Sequence, residues 1–350
     1  MEVAIMTGKE IFKKAIKLEK TPRCPFVIMS GGVWAYKQVG KSLQDSFELT
    51  PEESSDFWVE TNKKIRSDLI FCASGCNDLV LRALGAESDF SKVGVAASVQ
   101  PMIKSASDVD KLDIGDIKKD PGVIAMLEST KLMMKKMGDE TMLGISQWGP
   151  LTLAGLMIGA SDFMMMLVKD KKAVKYIMDF TSEAVLEYWR LFLDAGCEHV
   201  EMAEPDASPD MISPKMFEKI ALPHIQKTFQ GIEGQAFSRM LHICGNTTKI
   251  LKYIPESGAD MFSMDWKVNP ADAREALGGK VAFSGQIDPA EVIGLGTKED
   301  VLAKSREAME AAKWEEGGYI LMPGCDLSPI SPLENVQALS EVAYAARQEL

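Results

Sequence analysis

Ile11, Phe12, Ala15, Ile16 and Leu18 recur at helical spacing behind Thr7 and Glu10, which stand in the relation of a capping box, and the run stops at Thr21-Pro22. The pattern predicts a helix within an N-terminal extension over residues 1–24. Beyond it the period changes. Eight short apolar runs, each bounded by Gly, Pro, Ser or Asp, read as strands: 25–29 PFVIM, 68–72 DLIFC, 142–146 MLGIS, 198–203 EHVEMA, 239–243 RMLHI, 259–264 ADMFSM, 281–284 VAFS and 319–322 YILM. Longer amphipathic stretches between most of them, such as 161–193 and 296–313, read as helices. The interval 73–141 is too long for one crossover and is expected to hold an inserted hairpin or extra helices around 85–104.

Strands alternating with helices predict a parallel sheet. With about eight strands, and no Gly-x-Gly-x-x-Gly loop behind the first, the expected fold is α/β, a (β/α)8 TIM barrel rather than a doubly wound sheet. No linker, repeat or low-complexity tract divides the chain, so one barrel domain over 1–350 is expected.

Composition narrows the setting. Hydrophobic residues make up 46% and charged residues 26% of the 350, as in an ordinary globular protein. Lys+Arg number 39 against 51 Asp+Glu, a net charge of −12, so neither nucleic acid nor anionic lipid is an expected partner. The first apolar stretch turns charged at Lys9, too early for a signal peptide, and the longest, 150–160 PLTLAGLMIGA, stops at Ser161-Asp162, short of the roughly 20 residues that span a bilayer. A cytoplasmic protein is expected. Its scattered thiols, Cys24, Cys72, Cys76, Cys197, Cys244 and Cys325, should then be buried, metal-bound or catalytic rather than bridged.

In such a barrel chemistry gathers at the C-terminal ends of the strands. Those ends carry Ser146-Gln147-Trp148, Glu204-Pro205-Asp206, His242-Ile243-Cys244, Asp265-Trp266, Gln286-Ile287-Asp288 and Gly324-Cys325-Asp326. Positions i and i+2 of a strand face one side, so His242 and Cys244 can both point into the mouth while Ile243 packs outward. Imidazole nitrogen and thiolate sulfur together suit Zn²⁺, which usually takes four tetrahedral ligands. Cys325, in a Gly-Cys-Asp turn after the last strand, is the expected third ligand. Asp265 can supply the fourth, unless water or a substrate atom holds that position. A His and a Cys on one strand are as often plain core residues; the turn around Cys325 tips the reading toward metal. Gln147, Glu204 and Asp288 are candidates for the surrounding shell or for substrate contacts, with strand-end capping as the alternative. The other four cysteines, His199, His224 and the run Met164-Met165-Met166 read as packing.

The segments 203–217 AEPDASPDMISPKMF, 241–246 LHICGN, 284–289 SGQIDP and 322–338 MPGCDLSPISPLENVQA resemble the methylcobamide:coenzyme M methyltransferases, a branch of the uroporphyrinogen decarboxylase superfamily, and the resemblance runs over almost the whole chain. It implies an α/β barrel with zinc on His242, Cys244 and Cys325. The order His-x-Cys, acid, Cys also resembles the zinc site of cobalamin-independent methionine synthase, where the acid is usually glutamate; here the matching residue is Asp265, one methylene shorter. The implied activity moves a methyl group from a methylated corrinoid to a thiol such as coenzyme M, whose thiolate the zinc stabilises. The corrinoid would arrive on a separate carrier protein, since the chain has no Asp-x-His-x-x-Gly signature. Related barrels transfer methyl from methoxy or methylamine substrates or to folate. The sister decarboxylases hold tetrapyrrole carboxylates with N-terminal arginines. Asp68 resembles their acidic position, yet no arginine lies between Arg23 and Arg66.

Overall fold

The computed structural model of the protein describes residues 6–348. Its strands are β1 (Leu69–Cys72), β2 (Ser88–Asp89), β3 (Ser98–Val99), β4 (Met142–Trp148), β5 (His199–Ala203), β6 (Ser238–Ile243), β7 (Met261–Met264), β8 (Ala282–Ile287) and β9 (Tyr319–Pro323). Seven of them pair in parallel in the order β1-β4-β5-β6-β7-β8-β9, and β2 and β3 form the small antiparallel insertion expected near 85–104.

The eighth expected strand, 25–29, is not a full strand. Phe26 makes a single bridge to Leu321, with Leu321 N–H donating to the Pro25 carbonyl at 2.9 Å and Val27 N–H to the Leu321 carbonyl at 3.0 Å. On its other side the Phe26 carbonyl accepts from Asp68 N–H at 2.8 Å. The ladder fails to extend for two reasons: Pro25 has no N–H to give, and the N–H of Ile28 is spent on Ser67 Oγ at 3.1 Å. Segment 25–29 nevertheless joins the two edges of the curled sheet, an arrangement consistent with a TIM barrel.

Strand residues alternate between two environments. Leu143, Ile145, Val200, Met202, Leu241, Ile243, Phe262 and Leu321 pack outward against the helices. Leu69, Phe71, Met142, Met240, Met261, Ala282, Ile320 and Met322 turn inward and, with Val27 and Met29, fill the lower half of the interior. The helix Gly8–Ile16, started by the expected Thr7/Glu10 capping box, lays Phe12, Ala15 and Ile16 into the same cluster. Phe12 and Ile16 are each worth about 1.5–3 kcal/mol on burial, and with them the helix closes the N-terminal end of the interior. Residues 1–5 of the expected extension lie outside the described residues.

The stretch 161–193 divides into Ala160–Lys169 and Lys171–Asp194, because the Asp170 side chain accepts from Ala173 N–H and starts a new helix. Among the described residues no single helix is long and apolar enough to cross a membrane; Pro150–Ile158 and Ala160–Lys169 meet at 113°.

A candidate metal centre at the barrel mouth

His242 ends the inward face of β6 at 2% exposure, and Cys244 follows it two residues on, past the outward Ile243. The chain then turns at Gly245, whose φ of +79° is left-handed and whose missing Cβ would fall 2.3 Å from Asp210 Oδ2. Cys325 arrives from the loop after β9, across the mouth. His242 Nε2 lies 3.1 Å from Cys244 Sγ, and Cys244 Sγ lies 3.6 Å from Cys325 Sγ. One atom from each of the three sits within 4.8 Å of the others. Both sulfurs are partly open to solvent.

The orientation of His242 comes from a residue the sequence did not reveal. Ser263 of β7 pairs in register with His242, and its Oγ stands 2.9 Å from Nδ1. Ser263 Oγ in turn donates toward Met29 Sδ at 3.6 Å. With Nδ1–H donating to Ser263, Nε2 carries the lone pair and faces the sulfurs.

Asp265 stands beside this group and not within it. Its Oδ2 accepts from Gly245 N–H at 2.8 Å and its Oδ1 from Lys267 N–H at 3.0 Å. Oδ2 thus braces the turn that carries Cys244 and Oδ1 holds Asp265's own turn, and Asp265 is not among the three residues whose donor atoms converge.

Two further acids shape the field at the mouth. Glu201, inward on β5, opposite Ser146 in register and 1% exposed, is pushed up to about 7 by burial, against the pull of His242; its Oε2 has no partner. Asp326 follows Cys325 in the loop after β9 and is exposed to solvent. Burial opposes a charge on His242, but Cys325, Glu201 and Asp326 outweigh it and hold the imidazole above its ordinary value. The Cys325 thiol is pushed up by the neighbouring Cys244 sulfur and by burial. The loops around the mouth are strained: Ser30, Ala73 and Gln286 have φ of 47°, 53° and 85°, each at or just after the C-terminal end of segment 25–29, β1 or β8.

The remaining candidates lie elsewhere. Gln147 belongs to the outward parity of β4, where its Oε1 accepts from Trp148 N–H at 2.6 Å. Glu204 accepts from Leu151 N–H at 2.9 Å and from Thr152 N–H and Oγ at 3.0 and 2.8 Å, capping the helix Pro150–Ile158. Asp288 accepts from Ala290 N–H and Glu291 N–H at 2.8 and 3.0 Å, holding the turn after β8. Asp68 lies at the opposite end of the barrel, in a buried pair with Arg23 at 2.5 and 2.8 Å. Cys24, Cys72, Cys76 and Cys197 are buried thiols, and His224 Nδ1 meets the Ile220 carbonyl on an outer helix. Met164 and Met166 pack on the core as expected, whereas Met165 is half exposed.

One imidazole nitrogen and two partly exposed sulfurs, brought together from the ends of β6 and β9, fit a borderline-soft ion such as zinc. Residues 7–346 match the family described as uroporphyrinogen decarboxylase (URO-D), and the chain belongs to that family. Among its relatives, the methylcobamide:CoM methyltransferase MtaA of Methanosarcina barkeri is 30% identical over 226 residues, 64% of this chain and 63% of that protein. The methylcobamide:CoM methyltransferase MtbA of Methanosarcina acetivorans is 26% identical over 351 residues, 96% of this chain and 97% of that one. The fold is shared with a solved methyltransferase from Methanosarcina mazei at a TM-score of 0.86 and 24% identity, over 97% of this chain and 99% of that one.

Proposed function

We propose that the chain transfers a methyl group from a methylated corrinoid, carried by a partner protein, to the sulfur of a small thiol such as coenzyme M. Zinc held by His242, Cys244 and Cys325 would supply the Lewis acidity that keeps the acceptor sulfur a thiolate at neutral pH. The chain's own groups prepare for this. Ser263 orients the His242 ring, the left-handed Gly245 turn holds Cys244 beside it, and both cysteines are partly exposed. Asp265 braces the Cys244 turn through Gly245 N–H and stands as the candidate fourth ligand beside the three. Thiols kept in this state suit a reducing cytoplasm.

The observation that carries the reading is the convergence of the His242, Cys244 and Cys325 donor atoms within 4.8 Å at the barrel mouth. Decarboxylation is disfavoured because Asp68 is locked to Arg23 at the far end. The test is demethylation of methylcobalamin, followed by absorbance, with and without an added thiol. Thiol-dependent loss of the methyl–cobalt band is expected, and Cys244→Ala should abolish it while the circular dichroism stays unchanged. Thiol-independent turnover, or full turnover in Cys244→Ala, refutes the proposal.

A further inference from the structure

Of the six tryptophans in the chain, Trp34, Trp58, Trp189 and Trp314 are buried, and Trp148 is half-buried with its N–H donating to Asp78 at 2.8 Å. Trp266 alone is exposed, at 45%. It stands where the two cysteine-bearing turns meet. Asp265, before it, accepts from Gly245 N–H at 2.8 Å, next to Cys244. On its other side Trp266 Cβ lies 3.1 Å from where a Cβ on Gly324 would fall, next to Cys325. Lys267 Nζ is 5.9 Å from the ring centroid and 3.7 Å from Asp210 Oδ2, an ion pair that ties the Trp266 turn to the loop after β5. Met211 and Ile330 stand exposed on the loops after β5 and β9. An indole left open beside a candidate reactive centre, with apolar side chains exposed on adjoining loops, has the make-up of a contact surface.

The second observation is a groove of about 590 Å³ that adjoins the indole, with Lys267, Asn269, Gln286, Asp288 and Val292 among its walls. The backbone is left-handed at both Gly285 and Gln286, with φ of 112° and 85°, which interrupts the alternation of β8. The Gln286 amide nitrogen reaches Met264 Sδ at 3.9 Å, and its buried Oε1 has no donor. An acceptor shut away without a donor is costly, and strain at a residue other than glycine gathers at ligand sites. The missing partner is therefore a molecule with a flat apolar face for the indole and an N–H for Oε1. A corrinoid has that form: a broad ring rimmed by arms that end in primary amides.

We infer that the corrinoid donor seats on the β7 side of the mouth, its ring against the Trp266 indole and one amide arm in the adjoining groove, donating to Gln286 Oε1. The inference rests on the methyl-transfer reading for the identity of the donor and adds which side chains hold it. Trp266 lies between the Cys244 and Cys325 turns, so a ring held there is next to both partly exposed sulfurs.

The probe is methylcobalamin alone. Its binding to the purified metal-loaded protein is followed by equilibrium dialysis, and its KM and kcat are measured with the better of coenzyme M and 2-mercaptoethanol in excess. Trp266→Ala should raise both Kd and KM for methylcobalamin at least about tenfold while kcat falls less than about threefold, and Trp266→Phe should recover all but about threefold. Gln286→Met should weaken binding about threefold or more. Metal content and the KM for the thiol should stay within about twofold of the parent in all three. The indole is exposed, so its variants fold. Binding within about twofold of the parent in Trp266→Ala, a rise in the thiol KM in its place, or a parent that takes up no methylcobalamin overturns the inference. Parental binding in Gln286→Met overturns the placement of the arm. If methylcobalamin binds through Trp266 but no thiol demethylates it, the methyl-transfer reading fails and the corrinoid seat stands.

Discussion

Two histidines of this barrel are built alike and behave in opposite ways. His199 on β5 and His242 on β6 both point inward, and each has Nδ1 against a serine in register on the next strand, Ser238 at 2.7 Å and Ser263 at 2.9 Å. His199 lies in the lower layer, with the edges of Phe12 and Phe71 against its ring at 5.5 and 5.7 Å and no partner for Nε2. Burial pushes its imidazole down to about 3. His242 lies at the mouth, where Cys325, Glu201 and Asp326 raise it. The same strand-to-strand device thus gives a neutral packing group at one depth and a candidate ligand at another. What differs is the layer: methionine, phenylalanine and helix Gly8–Ile16 below, sulfur and carboxyl groups above.

That contrast makes the lower end a stability element and the mouth a chemical one, and substitutions can break it. The largest effect is expected at Asp68, below. Replacing it with Ala leaves the buried Arg23 charge uncompensated, which should lower the unfolding free energy by about 3–5 kcal/mol in a denaturant titration. Metal affinity of the folded protein should be unchanged. A loss under about 1 kcal/mol would show that the pair is not buried as described.

The next effect is at His199. An unfolded histidine takes up its proton near 6.5 and the folded one only near 3, so the stability tied to its neutral form is complete above pH 6.5 and falls as the pH drops through that window. Each pH unit costs roughly 1.4 kcal/mol, or about 2 kcal/mol by pH 5. His199→Gln should lose that part of the slope between pH 7 and 5; equal slopes in parent and variant would contradict the assignment.

The smallest effect separates support from ligation at the mouth. Ser263→Ala should weaken metal binding about 10–100-fold in a chelator competition, the range seen when such outer partners of ligands are removed. The metal-free protein should lose no more than about 1–3 kcal/mol, the cost of leaving the buried His242 Nδ1–H unpaired. An unchanged affinity would mean that the Ser263 contact does not set the His242 ring.

The strands were legible because their apolar runs are short and flanked by breakers. Segment 25–29 misled because its apolarity says nothing about donors, and Pro25 has none. The metal group was legible too, since His242 and Cys244 obey the two-residue period and the Gly-Cys-Asp turn belongs to no packing pattern. Strand ends are also helix and turn starts, so Glu204 and Asp288, offered as shell or capping residues, are found making caps. Gln147 lies one residue past the inward Ser146, on the other parity of β4, with a buried Nε2 that has no partner. Ser263 and Glu201 were invisible for a different reason. Their neighbours lie on other strands, and the register that brings them together is set by how the sheet curls, which no local pattern records.

The most direct measurement is the metal content of the purified protein together with X-ray absorption at the zinc edge. One zinc per chain is expected, with two sulfur scatterers near 2.3 Å and nitrogen or oxygen near 2.0–2.1 Å, and the sulfur count should fall to one in Cys325→Ala. Protein without zinc after purification from zinc-replete cells, or a zinc shell without sulfur, would contradict the account.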